Sequence, residues 1–309
     1  MSDPVAAPPI SVGLPVRNGE PYLEAALRSL LDQRDVDYEL IVADNCSTDA
    51  TADIVGDLAR GDARVRYLRR ARDIGVMGNH NRLVGEARGG LFAWAAADDV
   101  WRPDRLARLA AALADRPEVV LASSSATEIG PDDGVLGSWH NECRVDHPDP
   151  AVRVRDLLEV PHHNYYCYGL VRRHVLASTM LNPPIKAGDR VLVAELALRG
   201  PFVHLDEELL LHRIHPDRIS ERVDPREFYR SQRPGRRSLV LPNVEEGGWF
   251  LRAVLRSPLS PGQRLAALAA LRPWLRDNAV PMARNVARAA VDAGRRLAGA
   301  ADRSSRPRG

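Results

Sequence analysis

The sequence predicts an α/β protein built on a mostly parallel sheet with helices on both faces. Two observations carry that expectation. Apolar runs alternate with helical-period segments through the first two thirds of the chain, the rhythm of strand–helix crossover units. Polar clusters follow the apolar runs, and in such sheets ligands bind outside the carboxyl ends of the strands.

The elements come in order. ISVGLPV (10–16) reads as a buried strand, and Glu20 to Gln33 as a helix with Leu23, Leu27, Leu30 and Leu31 at helical spacing. YELIVA (38–43) is a second strand, and Asp49 to Arg60 a helix with Ile54, Val55 and Leu58 on one face. VRYL (65–68) is a third strand, followed by a helix from Asn79 to Arg88 that Gly89-Gly90 stops. LFAWAA (91–96) is a fourth strand, Pro103 to Ala114 a helix opened by proline, and VVLASSS (119–125) a fifth strand. Beyond Val135 the pattern loosens: a helix near 151–159, an aromatic stretch HHNYYCYG (162–169), a helix from Gly188 to Arg199, and short strands at 202–205 and 208–214. After Pro234 the texture turns to Arg/Ala/Leu helices. PLSPGQRLAALAALRPWL and VPMARNVARAAVDAGRRL are amphipathic, and the tail ADRSSRPRG is expected to be disordered.

Of 309 residues, 45% are hydrophobic and 27% charged, and the net charge is +2. That balance carries no global polyanion signal, and nucleic acid is not an expected partner. The charge is unevenly placed: from Arg233 to Gly309 there are 15 Arg and 5 acids, a net of +10, so the first 232 residues carry −8. Three widely spaced cysteines without a CxxC indicate neither a disulfide framework nor a zinc knuckle, and fit a reducing cytosol. MSDPVAAPPI lacks the basic start and apolar core of a signal peptide, and no apolar run is long enough to span a bilayer. The expected location is cytoplasmic.

Three polar clusters converge on one rim: RNGE (17–20) after the first strand, DNCSTD (44–49) after the second, and Asp98-Asp99 after the fourth. Two carboxylates at a strand tip suit a hard divalent cation such as Mg²⁺ or Mn²⁺ that keeps positions open for phosphate oxygens. Adjacent strand residues point to opposite faces, so one of them is expected on the metal. Taken alone, the pair fits two solvated turn acids equally. Asp44 is placed to accept hydrogen bonds from a ribose or a base, whereas helix capping accounts for Ser47, Thr48 and Asp49. The first turn, with Pro15, Arg17, Asn18 and Glu20, lacks GxGxxG, and GxxxxGK[ST] is absent, which excludes dinucleotide enzymes of that type and P-loop kinases.

LPVRNGEPYL, ELIVADNCSTDAT, DIGVMGNHNRLVGEARG, FAWAAADDVWRPDRL and AGDRVLVAELALRGPFVHLDEELLLHRIHP follow the order and spacing of family 2 glycosyltransferases. The likeness covers roughly residues 9 to 220, and its last block resembles the sporulation-coat polysaccharide member of that family. The resemblance implies the GT-A fold and inverting transfer from a nucleotide-sugar donor, UDP- or dTDP-linked, assisted by Mg²⁺ or Mn²⁺. It implies that Asp44 and Asn45 read base and ribose, with Pro15, Arg17, Asn18 and Glu20 around the base. Arg72 and Arg82 lie in the stretch near the diphosphate. Asp99 is the expected metal ligand, Asp98 contacts sugar or ribose and can share the metal, and His215 is a further candidate ligand. Ala96 stands where many members have another acid. Asp189, in Gly188-Asp189-Arg190, aligns with the general base, though an acid at a helix start also suits the macrodipole. Tyr165, Tyr166 and Tyr168 match the stretch that shapes the acceptor pocket, although packing suits each as well.

The expected organisation is a catalytic domain over 1–232, with a donor half at about 9–125 and an acceptor half at about 126–232, followed by a basic helical extension over 233–309. That extension admits two uses: a lid or homodimer contact packed on the acidic domain, or peripheral attachment to an anionic membrane. The acceptor class stays open among saccharide, lipid-linked and natural-product molecules. A sugar-nucleotide nucleotidyltransferase and a catalytically degenerate sugar-nucleotide-binding protein are the alternatives. RNGEPY is too short and too acidic for the basic, Gly-rich loop of the former.

Overall fold

The computed structural model describes residues 9–218, 228–229, 232 and 240–304, with side chains as far as 291. The first half runs β1 (Ile10–Val16), α1 (Leu23–Leu31), β2 (Tyr38–Asp44), α2 (Thr51–Gly61), β3 (Val65–Arg69), α3 (Val76–Glu86), β4 (Leu91–Trp94), β5 (Val100–Trp101) and α4 (Arg105–Ala114). The second half runs β6 (Leu121–Ile129), β7 (Val135–Trp139), α5 (Pro150–Glu159), β8 (Leu170–Arg172), α6 (Arg173–Ala177), α7 (Gly188–Arg199) and β9 (Phe202–Arg213). Helices α8 (Pro242–Arg256), α9 (Pro261–Ala270) and α10 (Arg272–Ser304) follow.

One mixed sheet has the strand order β3-β2-β1-β4-β8-β6-β9-β5, with β7 on β6. The expected parallel sheet is its first half: β3, β2, β1 and β4 are all parallel. β8 then runs antiparallel to both β4 and β6, and β9 lies parallel to β6. β1 and β2 are buried almost throughout because helices cover both faces. The polar residues inside them are paired: Ser11 Oγ donates to Glu39 (2.7 Å), and Arg66 donates to the other Glu39 oxygen (2.7 Å). Gly89 closes against β1, where a Cβ would fall 2.7 Å from backbone atoms of Ile10 and Ser11.

The two strands expected at 202–205 and 208–214 are one strand. Leu205 pairs with Ser124 and Glu208 with Ser125, so Asp206 and Glu207 bulge into solvent between them. That bulge is why the sequence shows two apolar runs.

Beyond the sheet, α8 packs on α7, α9 on α5, and α10 on α8. Phe250 and Trp274 meet edge to face at 5.3 Å, and Gly247 leaves room for Trp274 and Met282. The break between α9 and α10 falls at Leu271, whereas the sequence suggested a helix start near Val280; α10 passes straight through Pro281. A proline inside a helix forfeits one backbone hydrogen bond. Trp274 and Met282, packed on either side of it against α8, hold the helix together. The tail expected to be disordered from Ala301 is helical to Ser304, and its last five residues lie outside the described ones.

Candidate active site

The loops after β1 and β2 form one rim. Asn18 N–H donates to Ser47 Oγ (2.9 Å), Thr48 N–H to Asn18 Oδ1 (2.9 Å), Gly19 N–H to Thr51 Oγ1 (2.9 Å), and Ala50 N–H to Glu20 Oε2 (3.2 Å). Asn18 and Cys46 hold φ of 55° and 66°, so the rim depends on left-handed turns that few side chains adopt. Asp44 is fully buried at the tip of β2, and Pro15 lies beside it across the β1–β2 pairing through Ala43. Asp44 accepts from Ser47 N–H (2.8 Å) and Tyr67 Oη (2.8 Å), and Arg69 Nε stands 3.4 Å away. Asn45 donates to Asp73 (2.6 Å) and accepts from Ile74 N–H (3.0 Å), and Arg17 pairs with the same Asp73. Two of the residues expected around the nucleotide, Arg17 and Asn45, are therefore knitted to the loop before α3.

Asp98 and Asp99 follow β4, next to β1, and have opposite fates. Asp99 is 1% exposed, and both oxygens are occupied: His212 Nδ1 donates to Oδ2 at 3.1 Å and Arg213 N–H to Oδ1 at 3.0 Å. Arg218 donates to His212 Nε2 (2.7 Å), so His212 is the neutral tautomer with its proton on Nδ1. The side chain of Asp98 is 30% exposed and meets His215 Nε2 at 3.0 Å. Burial, and then the Asp99 carboxylate beside it, raise the Asp98 pKa. His215 Nδ1 is buried without a partner. Tyr22, at the start of α1, packs tilted against His215 at 4.7 Å and lies under the Arg213 guanidinium (4.7 Å), which joins the first rim loop to this centre.

Asp189 opens α7, where Asn164 Nδ2 donates to its Oδ2 (2.8 Å). It lines a cavity of about 340 Å³ together with Lys186, Arg190, Tyr229, Asn243 and Glu246. Part of that wall comes from α8. Arg190 and Glu246 face each other at 3.6 Å; burial raises the Glu246 pKa, and Asp189 adds to the rise. Burial dominates the large rise in the Tyr168 pKa, and Cys167, Asp99, Asp98 and Asp189 add to it in that order.

Other expected residues fall elsewhere. Tyr165 and Tyr166 do not wall an acceptor pocket: they are 5% and 0% exposed and pack edge-on against Trp139. Their hydroxyls are spent on Glu128 and Asn141, because the short helical turn over 165–168 rolls these rings under β6. Arg82 pairs with Glu86 one turn along α3 (2.8 Å), and Arg72 is exposed on the loop before that helix. Sequence reading passed over Tyr22 and Arg213, whose roles depend on long-range pairing, and set His212 in an HxxH spacing with His215 that carried no argument. It also passed over Arg105, fully buried on α4. Arg105 donates to Tyr168 O (2.9 Å) and lies over Trp101 at 5.0 Å, and burial lowers its pKa to about 10 against the pull of Asp99.

Among the described residues, no group of three or more His, Cys, Asp or Glu forms a ready metal cage. What the centre offers is a carboxylate with an open side and an imidazole beside it.

A model of the family described as "Glycosyl transferase family 2" matches residues 11–179, which span both rim loops and the acid pair. The chain belongs to that family. TuaG of Bacillus subtilis, a putative teichuronic acid biosynthesis glycosyltransferase, is 33% identical over 99 residues, which are 32% of this chain and 39% of the relative. EpsH, a putative glycosyltransferase of the same organism, is 24% identical over 208 residues, 67% of this chain and 56% of the relative. The chain spans 39%, 36% and 29% of the length of the first three curated relatives it matches. Among solved structures, S. aureus TarS 1–349 in complex with UDP superposes with a TM-score of 0.62 at 18% identity, covering 86% of this chain and 72% of TarS. The mannosyltransferase PcManGT from Pyrobaculum calidifontis, in complex with GDP-Man and Mn²⁺, gives 0.53 at 19% identity, covering 97% and 81%. The fold is GT-A.

Proposed function

We propose that this chain transfers a sugar from a nucleotide-diphosphate donor, UDP- or dTDP-linked, to an acceptor hydroxyl or amine with inversion. The observation that carries the reading is the convergence, along the paired strands β2, β1 and β4, of the bonded loops after β1 and β2 with Asp98 and Asp99 after β4. The catalytic unit is then 1–232, with a donor half over 9–125 and an acceptor half over 126–232, and α8 completes the acceptor wall. The reading is of a cytoplasmic enzyme. Its acceptor is a saccharide, a lipid-linked molecule or a natural product.

Asp98 and His215 fit a divalent cation. Oxygen and imidazole donors suit Mn²⁺ or Mg²⁺ with open positions, and His215 Nδ1 is a buried nitrogen with its hydrogen-bonding capacity unused. Asp99 is assigned differently from the sequence expectation, because its two oxygens already hold His212 and Arg213. It becomes the residue that fixes the strand carrying His215. Bound at this place, a divalent cation supplies charge stabilisation for the departing diphosphate. Asp189 Oδ2 is held by Asn164, and its Oδ1 takes the acceptor proton as the new bond to the anomeric carbon forms and the bond to the diphosphate oxygen breaks. Asp44 and Asn45, buried with their polar atoms already bonded, fix the rim loops around the base and ribose.

Isothermal titration with UDP and Mn²⁺, followed by donor turnover with and without EDTA, tests the reading. Binding that needs Mn²⁺ and is lost in Asp98→Ala is expected. UDP binding without any donor hydrolysis or transfer would favour a non-catalytic sugar-nucleotide-binding protein.

A further inference from the structure

We infer that α10 and the helices it packs on form a surface that docks on an anionic lipid bilayer. Among the described residues, nine large apolar side chains are exposed, and seven of them lie between 251 and 291: Leu251, Leu255, Leu265, Leu275, Val280, Val286 and Val291. Their exposure runs from 43% to 71%, with Leu265 the most open. Clusters of exposed apolar side chains on this scale mark interaction surfaces.

The arrangement along α10 is that of an interfacial helix. With about 100° per residue, Trp274, Met282 and Ala289 share the sector turned toward the protein, where Trp274 and Ala289 are buried. Leu275, Ala279, Ala283, Val286 and Ala290 share the neighbouring sector of roughly 80°, and Leu275 and Val286 there are 43% and 53% exposed. Arg272 falls in the same sector and Arg276 at its edge, both exposed, while Val280, Val291, Arg284 and Arg288, also exposed, stand farther round the helix. Long arginine stems can lie along an apolar boundary with the charge at headgroup level. No described helix is long and apolar enough to cross a membrane, so this geometry lies on a bilayer rather than through it.

Charge selects the occupant. Between residues 240 and 291 there are seven Arg and three acids. Two of those acids, Glu245 and Glu246, sit on the first turns of α8, and Glu246 faces the Asp189 cavity. The third, Asp277, is held by its neighbour Arg276 (2.9 Å). A second copy paired symmetrically through this face would set Arg against Arg. An anionic lipid surface instead attracts each arginine.

The test is co-sedimentation of the full-length chain with vesicles of phosphatidylcholine alone and with added phosphatidylglycerol. Binding only to the phosphatidylglycerol vesicles, weakened by salt, is expected. Arg272→Gln/Arg276→Gln should lower that binding by about thirtyfold. Leu275→Glu/Val286→Glu should abolish it while circular dichroism and UDP binding stay those of the parent. Equal sedimentation by parent and both variants would overturn the inference. So would a dimer in light scattering that Leu275→Glu/Val286→Glu splits, with no vesicle binding by the parent. If vesicles bind and UDP does not, the transferase reading fails and the surface stands.

Discussion

The rim formed by the loops after β1 and β2 and the acid–histidine centre lie side by side at the same edge of the sheet, yet they are assembled differently. The rim is made from the loops after two adjacent parallel strands, and its bonds join residues about thirty positions apart, such as Asn18 to Ser47 and Glu20 to Ala50. Much of it is exposed. The centre is made by β9 returning past β6, and its bonds span 113 to 117 positions, from Asp99 to His212 and Asp98 to His215. It is largely buried. Local loops can be altered one residue at a time, whereas a buried long-range centre fails as a unit.

The largest expected effect separates chemistry from the rim. Asp189→Asn keeps the size of the side chain and the Asn164 neighbour but removes the proton acceptor. Transfer should fall by about 10²–10⁴-fold, with UDP affinity within about twofold of the parent because the rim is untouched. A parent-like rate in single-turnover assays would remove Asp189 from the base role.

The next effect contrasts the two adjacent acids. Asp99→Asn leaves His212 Nδ1–H and Arg213 N–H short of a charged acceptor in a closed site, and should cost about 2–4 kcal/mol of stability by urea unfolding. Asn18→Ala, on the rim, should cost about 1 kcal/mol or less. If both substitutions cost the same, the distinction between centre and rim is wrong.

The smallest effect is one of pH. His204, lower on β9, lies between Ser123 Oγ (2.9 Å) and Ser125 Oγ (3.1 Å), and burial lowers its pKa from 6.5 to about 4. The unfolded chain therefore binds a proton there that the folded chain refuses between those values. The stability this group contributes is complete above pH 6.5 and is lost as pH falls toward 4. The melting temperature of His204→Gln should decline less steeply on acidification than that of the parent; parallel declines would assign the acid sensitivity to other groups.

Much of this protein was legible in one dimension. The alternation from Ile10 to Ala114 determined the strands and helices of the parallel half, because strands buried on both faces are nearly continuous apolar runs and their crossover helices are amphipathic. The order of those strands brought Asp44, Asn18, Glu20 and Asp98 to one edge, and each sits at an apolar-to-polar boundary that the sequence displays. The tertiary structure decided what the boundary could not. It chose Asp99 for burial and Asp98 for the open side, since which of two neighbouring carboxylates meets a histidine depends on the register of a strand more than a hundred residues away. It turned Tyr165 and Tyr166 into core, since an aromatic ring carries the same signature whether it stacks on a ligand or on Trp139. It also carried α10 through Pro281, since packing against α8 outweighs one missing backbone hydrogen bond.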